Sequence, residues 1–202
     1  MPNKKNILII AKSVISTETD AIAQLHNRLT DDFPEAIQII LSSEGRLIVA
    51  GVGKSANIAN KMVATFNSTG QPSVFIHASE AMHGDLGNIQ KNDVVICISK
   101  SGNTEEIKML VPLVKNLGNK IISICGNKES YLAKESDLFI DSTVEKEACP
   151  NNLAPTSSTT AQIVLGDAMA VCLLKLRYFS DSDFARFHPG GTLGKRLYLK
   201  VS

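Results

Sequence analysis

The chain has 202 residues, 44% of them hydrophobic, enough for one domain around a substantial buried core. Its 21 basic and 20 acidic residues nearly cancel and neither sign forms a block, so the charge pattern suits neither nucleic acid nor an anionic membrane, and a small molecule is the expected partner. The opening "MPNKKNILIIAKS" has too short an apolar run for a signal peptide or a membrane span, and the expected compartment is the cytoplasm.

In chain order, residues 8–42 carry a helical pattern broken near Phe33 and Pro34, which predicts a helical hairpin with the proline in the second helix's first turn. Apolar runs at 46–51, 72–77, 93–99, 120–125 and 137–141 read as buried strands. Ala59, Met62, Val63 and Phe66 mark one helical stripe between them. Ile107, Leu110, Val111, Val114 and Leu117 mark a second that stops at Gly118, with a kink expected at Pro112. Residues 158–177 are apolar on nearly every side, which predicts a helix buried against both the sheet and a neighbouring subunit. Strand and helix in strict alternation predict an α/β three-layer sandwich with a five-stranded parallel sheet. No repeat, low-complexity tract or linker divides residues 1–202, so a single domain is expected. The cysteines at 97, 125, 149 and 172 show neither zinc-site pairing nor the density of a disulfide framework, and read as reduced thiols.

The turn after the first strand, "GVGKSANIANK", presents backbone N–H groups at a helix start, a ready anion site. It is not an ATPase P-loop, because that pattern needs a glycine where Ile48 stands. A dinucleotide fingerprint is nearly met by Gly51, Gly53 and Ala56, but the acidic residue that should end the next strand is replaced by His77. A plain tight turn with Lys54 in solvent is the third reading. A second clue is "ISKSGNTEE", residues 98–106. Ser99, Ser101 and Thr104 supply three hydroxyls, Gly102 lets the backbone curl, and a helix starts behind them, so donors converge as a phosphate monoester requires. Helix capping by Asn103 or Thr104 competes with that reading, although capping alone does not call for both Ser99 and Ser101.

Five blocks, "GVGKSANIANKMVATFNSTG", "HGDLG", "SKSGNTEEI", "KEACPNNLAPTSSTTA" and "FHPGGTLGKRL", together resemble the sugar isomerase (SIS) domain proteins, specifically the arabinose-5-phosphate isomerases. The resemblance runs over nearly the whole chain. It implies a SIS fold, a homotetramer, and interconversion of D-ribulose 5-phosphate and D-arabinose 5-phosphate on the route to the acidic sugar Kdo of lipopolysaccharide and capsules. The chain stops at "LYLKVS", without the paired cystathionine-β-synthase-type domains of many relatives, so control through such domains is not expected, and an activated Kdo end product could instead occupy the substrate cleft.

Matched residue by residue, the resemblance implies a catalytic set of Lys54, Glu106, Glu147 and His188, with His83 a further polar candidate. Substrate contacts are expected from Gly53, Ser55, Ser99, Lys100, Ser101, Asn103, Thr104, Ser157, Ser158 and Thr159. Moving a proton between C1 and C2 through an enediol needs a base, a cation for the developing oxyanion and a phosphate anchor. Glu147 is the first choice of base, because it follows the fifth strand and its neighbours Ala148, Cys149 and Pro150 could raise its pKa toward neutrality; Glu106 is the second. His188 could shuttle protons or open the furanose ring, and its turn-rich segment could reach a neighbouring subunit's site. No metal or other cofactor is expected, since neither His83 with Asp85 nor Cys149 offers a convincing ligand set. Two rival functions are a non-catalytic sugar-phosphate sensor and an isomerase of a different phosphosugar.

Overall fold

The computed structural model describes residues 3–190. Residues 191–202 lie outside them, and with them the end of the "FHPGGTLGKRL" block. Five strands, β1 (Leu47–Gly51), β2 (Ser73–His77), β3 (Val94–Ser99), β4 (Lys120–Cys125) and β5 (Leu138–Asp141), form one wholly parallel sheet in the order β2-β1-β3-β4-β5. The three-layer α/β expectation therefore holds, and the strands fall within a residue of the expected runs.

The strands' alternation divides the apolar residues into two cores. Leu47, Val49, Ile96, Ile98, Ile122 and Ile124 face one side, under α3 (Lys54–Ser68) and α6 (Ser157–Leu176). Ile48, Ala50, Val95, Cys97 and Ile121 face the other, covered by α4 (Glu105–Leu117) and α5 (Tyr131–Glu135). The α4 stripe is buried through Ile107, Leu110, Val111 and Val114, and the helix runs unbroken through Pro112 to a left-handed Gly118 cap. Burial pushes the Cys97 thiol up to about 12, with Cys125 adding to it, so this cysteine behaves as a small hydrophobe.

The N-terminal pair is α1 (Lys4–Leu25) and α2 (Asp32–Ser42), with Pro34 in the first turn of α2. α1 docks on α6, whereas α2 packs against β5 and α6. The sequence pointed to α6 as the helix needing a partner from another chain. Within its own chain α6 packs against α1, α2 and α3 and leaves Val171 and Leu176 exposed, and a longer exposed apolar row lies on α1, at Ile7, Leu8, Ile9, Ile10 and Ile15. A uniformly apolar sequence satisfies a helix enclosed within its own chain as well as one at an interface.

The strand order reverses between β1 and β3: the chain leaves β1 to form β2 on one side, and returns to place β3 on the other. The loops at the carboxyl ends of these strands diverge there, opening the crevice in which parallel α/β sheets bind ligands. Both glycine-containing stretches singled out in the sequence emerge at this point.

Candidate active site

A cleft of about 330 Å³ opens at that crevice. It is lined by Lys54 and Ser55 of α3, by Ser99, Lys100, Ser101 and Thr104 between β3 and α4, and by Ser158, Thr159 and Gln162 of α6. Ile98 and Ile107 complete its apolar floor.

The β1–α3 turn is tight for a steric reason. A Cβ on Gly51 would meet the Ser55 backbone at 2.9 Å, so glycine there lets the helix start close to the strand. Gly53 follows with a φ of 57°, and Lys54 begins α3, exposed and without an ion pair among the described residues.

The β3–α4 turn is more ordered. Buried Ser99 accepts a hydrogen bond from the Gly102 N–H at 3.1 Å, and its hydroxyl lies 2.9 Å from that of Thr104, the N-cap of α4. Gly102 has a φ of 66°, and a Cβ there would lie 2.1 Å from the Ser130 hydroxyl, so the curl is closed to other residues. The Ser101 hydroxyl accepts from the Asn103 N–H at 3.2 Å and faces the cleft. Asn103 turns away: its Oδ1 accepts from the Tyr131 N–H at 3.0 Å, which makes it a brace between the turn and α5.

Glu147 lies on the loop from β5 to α6 and is 3% exposed. Its Oε1 accepts from the Ser158 hydroxyl at 2.6 Å and pairs with the Lys100 ammonium at 2.7 Å. Its Oε2 accepts from the Thr156 N–H at 2.7 Å, the Thr156 hydroxyl at 3.1 Å and the Ser158 N–H at 3.1 Å. The sequence pointed to apolar neighbours and a raised pKa; the opposite holds. Burial by itself pushes the carboxyl up, but Lys100, the Ser158 hydroxyl and the N–H groups of Thr156, the N-cap of α6, and Ser158 outweigh it and hold the value down at about 2. Ala148, Cys149 and Pro150 are its neighbours in sequence, yet the groups that touch the carboxylate come from β3–α4 and α6. In the same loop, the Cys149 thiol is held below its ordinary value by backbone N–H groups, that of Ala154 first.

The Glu106 side chain, half-buried in the first turn of α4, has no hydrogen bond or ion pair among the described residues, and like Glu147 it lies outside the cleft lining, next to the lining residue Ile107. Ser157, at the start of α6, is buried with a hydroxyl that has no partner among the described residues, and does not line the cleft. His83 stands exposed at the end of a short 3-10 turn, outside the cleft lining. His188 caps α7 (Asp181–Phe187), stacks on Phe184 at 3.9 Å and donates from Nδ1 to the Phe184 carbonyl at 2.8 Å. It too lies outside the lining of its own chain's cleft.

One polar lining residue escaped sequence reasoning. Gln162 is 1% exposed, and neither amide atom has a partner among the described residues. The available signal was a polar side chain one helical turn after Ser158 in an otherwise apolar helix.

The chain is 52% identical over 191 residues to the arabinose 5-phosphate isomerase KdsD of Pseudomonas aeruginosa, covering 95% of this chain and 59% of that protein. It is 48% identical to the KdsD of Escherichia coli K12, covering 95% and 58%. The chain thus spans less than two thirds of the curated relatives it matches. A protein of Escherichia coli CFT073, solved in complex with arabinose 5-phosphate, superposes with a TM-score of 0.90 at 40% identity, covering 93% of this chain and all of that one. The SIS domain model matches residues 40–172, the stretch that carries all five strands and every residue lining the cleft. On that match, and on a switch-point crevice built from the same segments, the chain belongs to the SIS domain family.

Proposed function

We propose that this chain is an aldose–ketose isomerase that interconverts D-ribulose 5-phosphate and D-arabinose 5-phosphate, supplying Kdo biosynthesis. The observation that carries the reading is the cleft itself, with three hydroxyls gathered at the start of α4 and two lysines facing a space suited to a five-carbon sugar phosphate. The arabinose 5-phosphate bound by the Escherichia coli neighbour, and the isomerases among the curated relatives, support it.

Ser99, Ser101 and Thr104 hold the phosphate at the α4 N-terminus, where the helix dipole and free N–H groups favour an anion. Lys54, Ser55, Ser158 and Thr159 meet the sugar, and Gly53 keeps the backbone close to it. In the step from ketose to aldose, a base takes the C1 proton. The C–H electron pair becomes the C1–C2 double bond and the carbonyl pair moves onto O2. A proton then passes from O1 to O2, and the base returns its proton to C2, so no electrons are gained or lost. Glu106 is the base in this reading, because its carboxylate is unengaged among the described residues, whereas that of Glu147 is saturated.

His188 completes the site of a neighbouring subunit in a cytoplasmic homotetramer. Its absence from its own cleft and the exposed apolar row on α1 support that assembly. Mixing Glu106→Gln and His188→Ala chains, with random reassembly, should restore roughly a quarter of sites at a two-chain interface. An activated Kdo end product is the expected inhibitor, competing with substrate in the cleft.

Incubation with D-ribulose 5-phosphate tests the reading. Loss of the ketose with appearance of D-arabinose 5-phosphate is expected, in preference to hexulose and heptose phosphates. Binding without turnover would make the chain a sugar-phosphate sensor instead, and turnover of another phosphosugar alone would change the substrate.

A further inference from the structure

The Glu147 carboxylate is the most heavily bonded side chain in the site, and the isomerisation as described makes no use of it. Five donors converge on it: the Thr156 and Ser158 N–H groups, the Thr156 and Ser158 hydroxyls, and the Lys100 ammonium. A carboxylate offers about four lone-pair sites, so this one has no acceptor capacity left for a substrate proton. Its side chain has no solvent exposure, and it does not line the cleft. Lys100 has the complementary placement: it lines the cleft, its side chain is 44% exposed, and its backbone carbonyl is fixed by the Gly126 N–H at 3.0 Å.

Resting on the isomerase reading, we propose that Glu147 is a positioning residue that holds the Lys100 ammonium in the cleft, and that Lys100 is the cation facing O2 as negative charge develops on it. An ammonium has three donors, and the bond to Glu147 leaves two for the substrate. A lysine on a four-carbon stem is otherwise free to swing into solvent, losing the fixed geometry on which electrostatic stabilisation of a transition state depends. Thr156 and Ser158 anchor the carboxylate on α6, so the arrangement ties the charge on the β3–α4 turn to the start of the long core helix. Lys54, with no ion pair among the described residues, stands at the other side of the cleft and is left to the sugar's hydroxyls.

The test is a double-mutant cycle. Lys100→Met should lower kcat by about 10² to 10³-fold, with KM for D-ribulose 5-phosphate changed less than about threefold. Lys100→Arg should recover part of the loss, and Lys100→Met should fold, shown by circular dichroism at the assay temperature, but melt lower than wild type because the buried Glu147 carboxylate loses its counter-charge. Glu147→Gln should lower kcat by a similar factor, and adding it to Lys100→Met should cost little more, as expected of residues acting as a unit. A further hundredfold loss in the double variant would show that Glu147 acts in its own right, and overturn the proposal; so would a Lys100→Met enzyme of wild-type kcat. If Glu147→Gln does not fold, the Lys100 variants still decide. If the wild type turns over no sugar phosphate, the isomerase reading fails separately. The positioning claim is then read from the carbon resonance of a labelled Glu147 carboxylate, which should shift in Lys100→Met and is refuted if it does not.

Discussion

Of the three helices that begin beside the cleft, α4 and α6 have N-termini finished in opposite ways. The start of α6 is filled from within: Glu147, reaching over from the preceding loop, accepts the Thr156 and Ser158 N–H groups and the hydroxyls beside them. At the start of α4, the N-cap Thr104 makes no side-chain cap, and the Glu105 and Glu106 N–H groups have no partner among the described residues. Both ends have the same dipole and the same unpaired donors before a partner arrives. The protein thus spends one carboxylate of its own at α6, where the loop must be rigid, and leaves the α4 end open to an anion from solution. The same contrast separates the glutamates. Glu147 is an internal counter-ion, whereas the Glu106 carboxylate has no partner among the described residues, which is why the proposed base is placed there.

The comparison can be broken first at Glu106. Glu106→Gln should lower kcat by about 10² to 10⁴-fold, the range for a lost general base, with a far smaller change in KM. Steady-state kinetics check it, and a fully active Glu106→Gln enzyme would return the base to another group. The next effect is on stability against pH. Above 4.5, the ordinary value, Glu147 is ionised in both folded and unfolded chains, so its whole contribution is present. As pH falls from there toward about 2, the unfolded chain binds a proton that the folded carboxylate refuses, and stability is lost. The loss should approach about 3 kcal/mol, from 1.36 kcal/mol per pKa unit. Denaturant unfolding at pH 6 and pH 3 should show a steeper fall in wild type than in Glu147→Gln, and equal slopes would mean that the filled α6 end stores no such energy. The smallest effect sharpens the open end. Ser101→Ala should weaken inorganic phosphate and substrate alike by about 1–3 kcal/mol, the worth of a hydrogen bond to a charged group. Calorimetry with phosphate reads it directly, and unchanged affinity would move the anchor away from Ser101.

The sequence by itself determined the five-stranded parallel sheet, because each strand is a short apolar run bounded by turn residues, and the alternation of strand and helix leaves few other topologies. It also located both turns that build the cleft, since glycines beside hydroxyl and lysine side chains have a local meaning that survives without a fold. Only the tertiary structure decided what Glu147 does. Read along the chain, its environment is alanine, cysteine and proline; in three dimensions it is Lys100, 47 positions earlier, with the N-cap Thr156 and Ser158 at the start of the next helix. Asn103 likewise reads as a cap and serves as a brace on α5, and Gln162 reads as an incidental polar residue but lines the cleft. The physical reason is common to all three. A backbone's preferences are set by its nearest neighbours in sequence, whereas a side chain's charge state and partners are set by whatever the packing brings within about 3 Å.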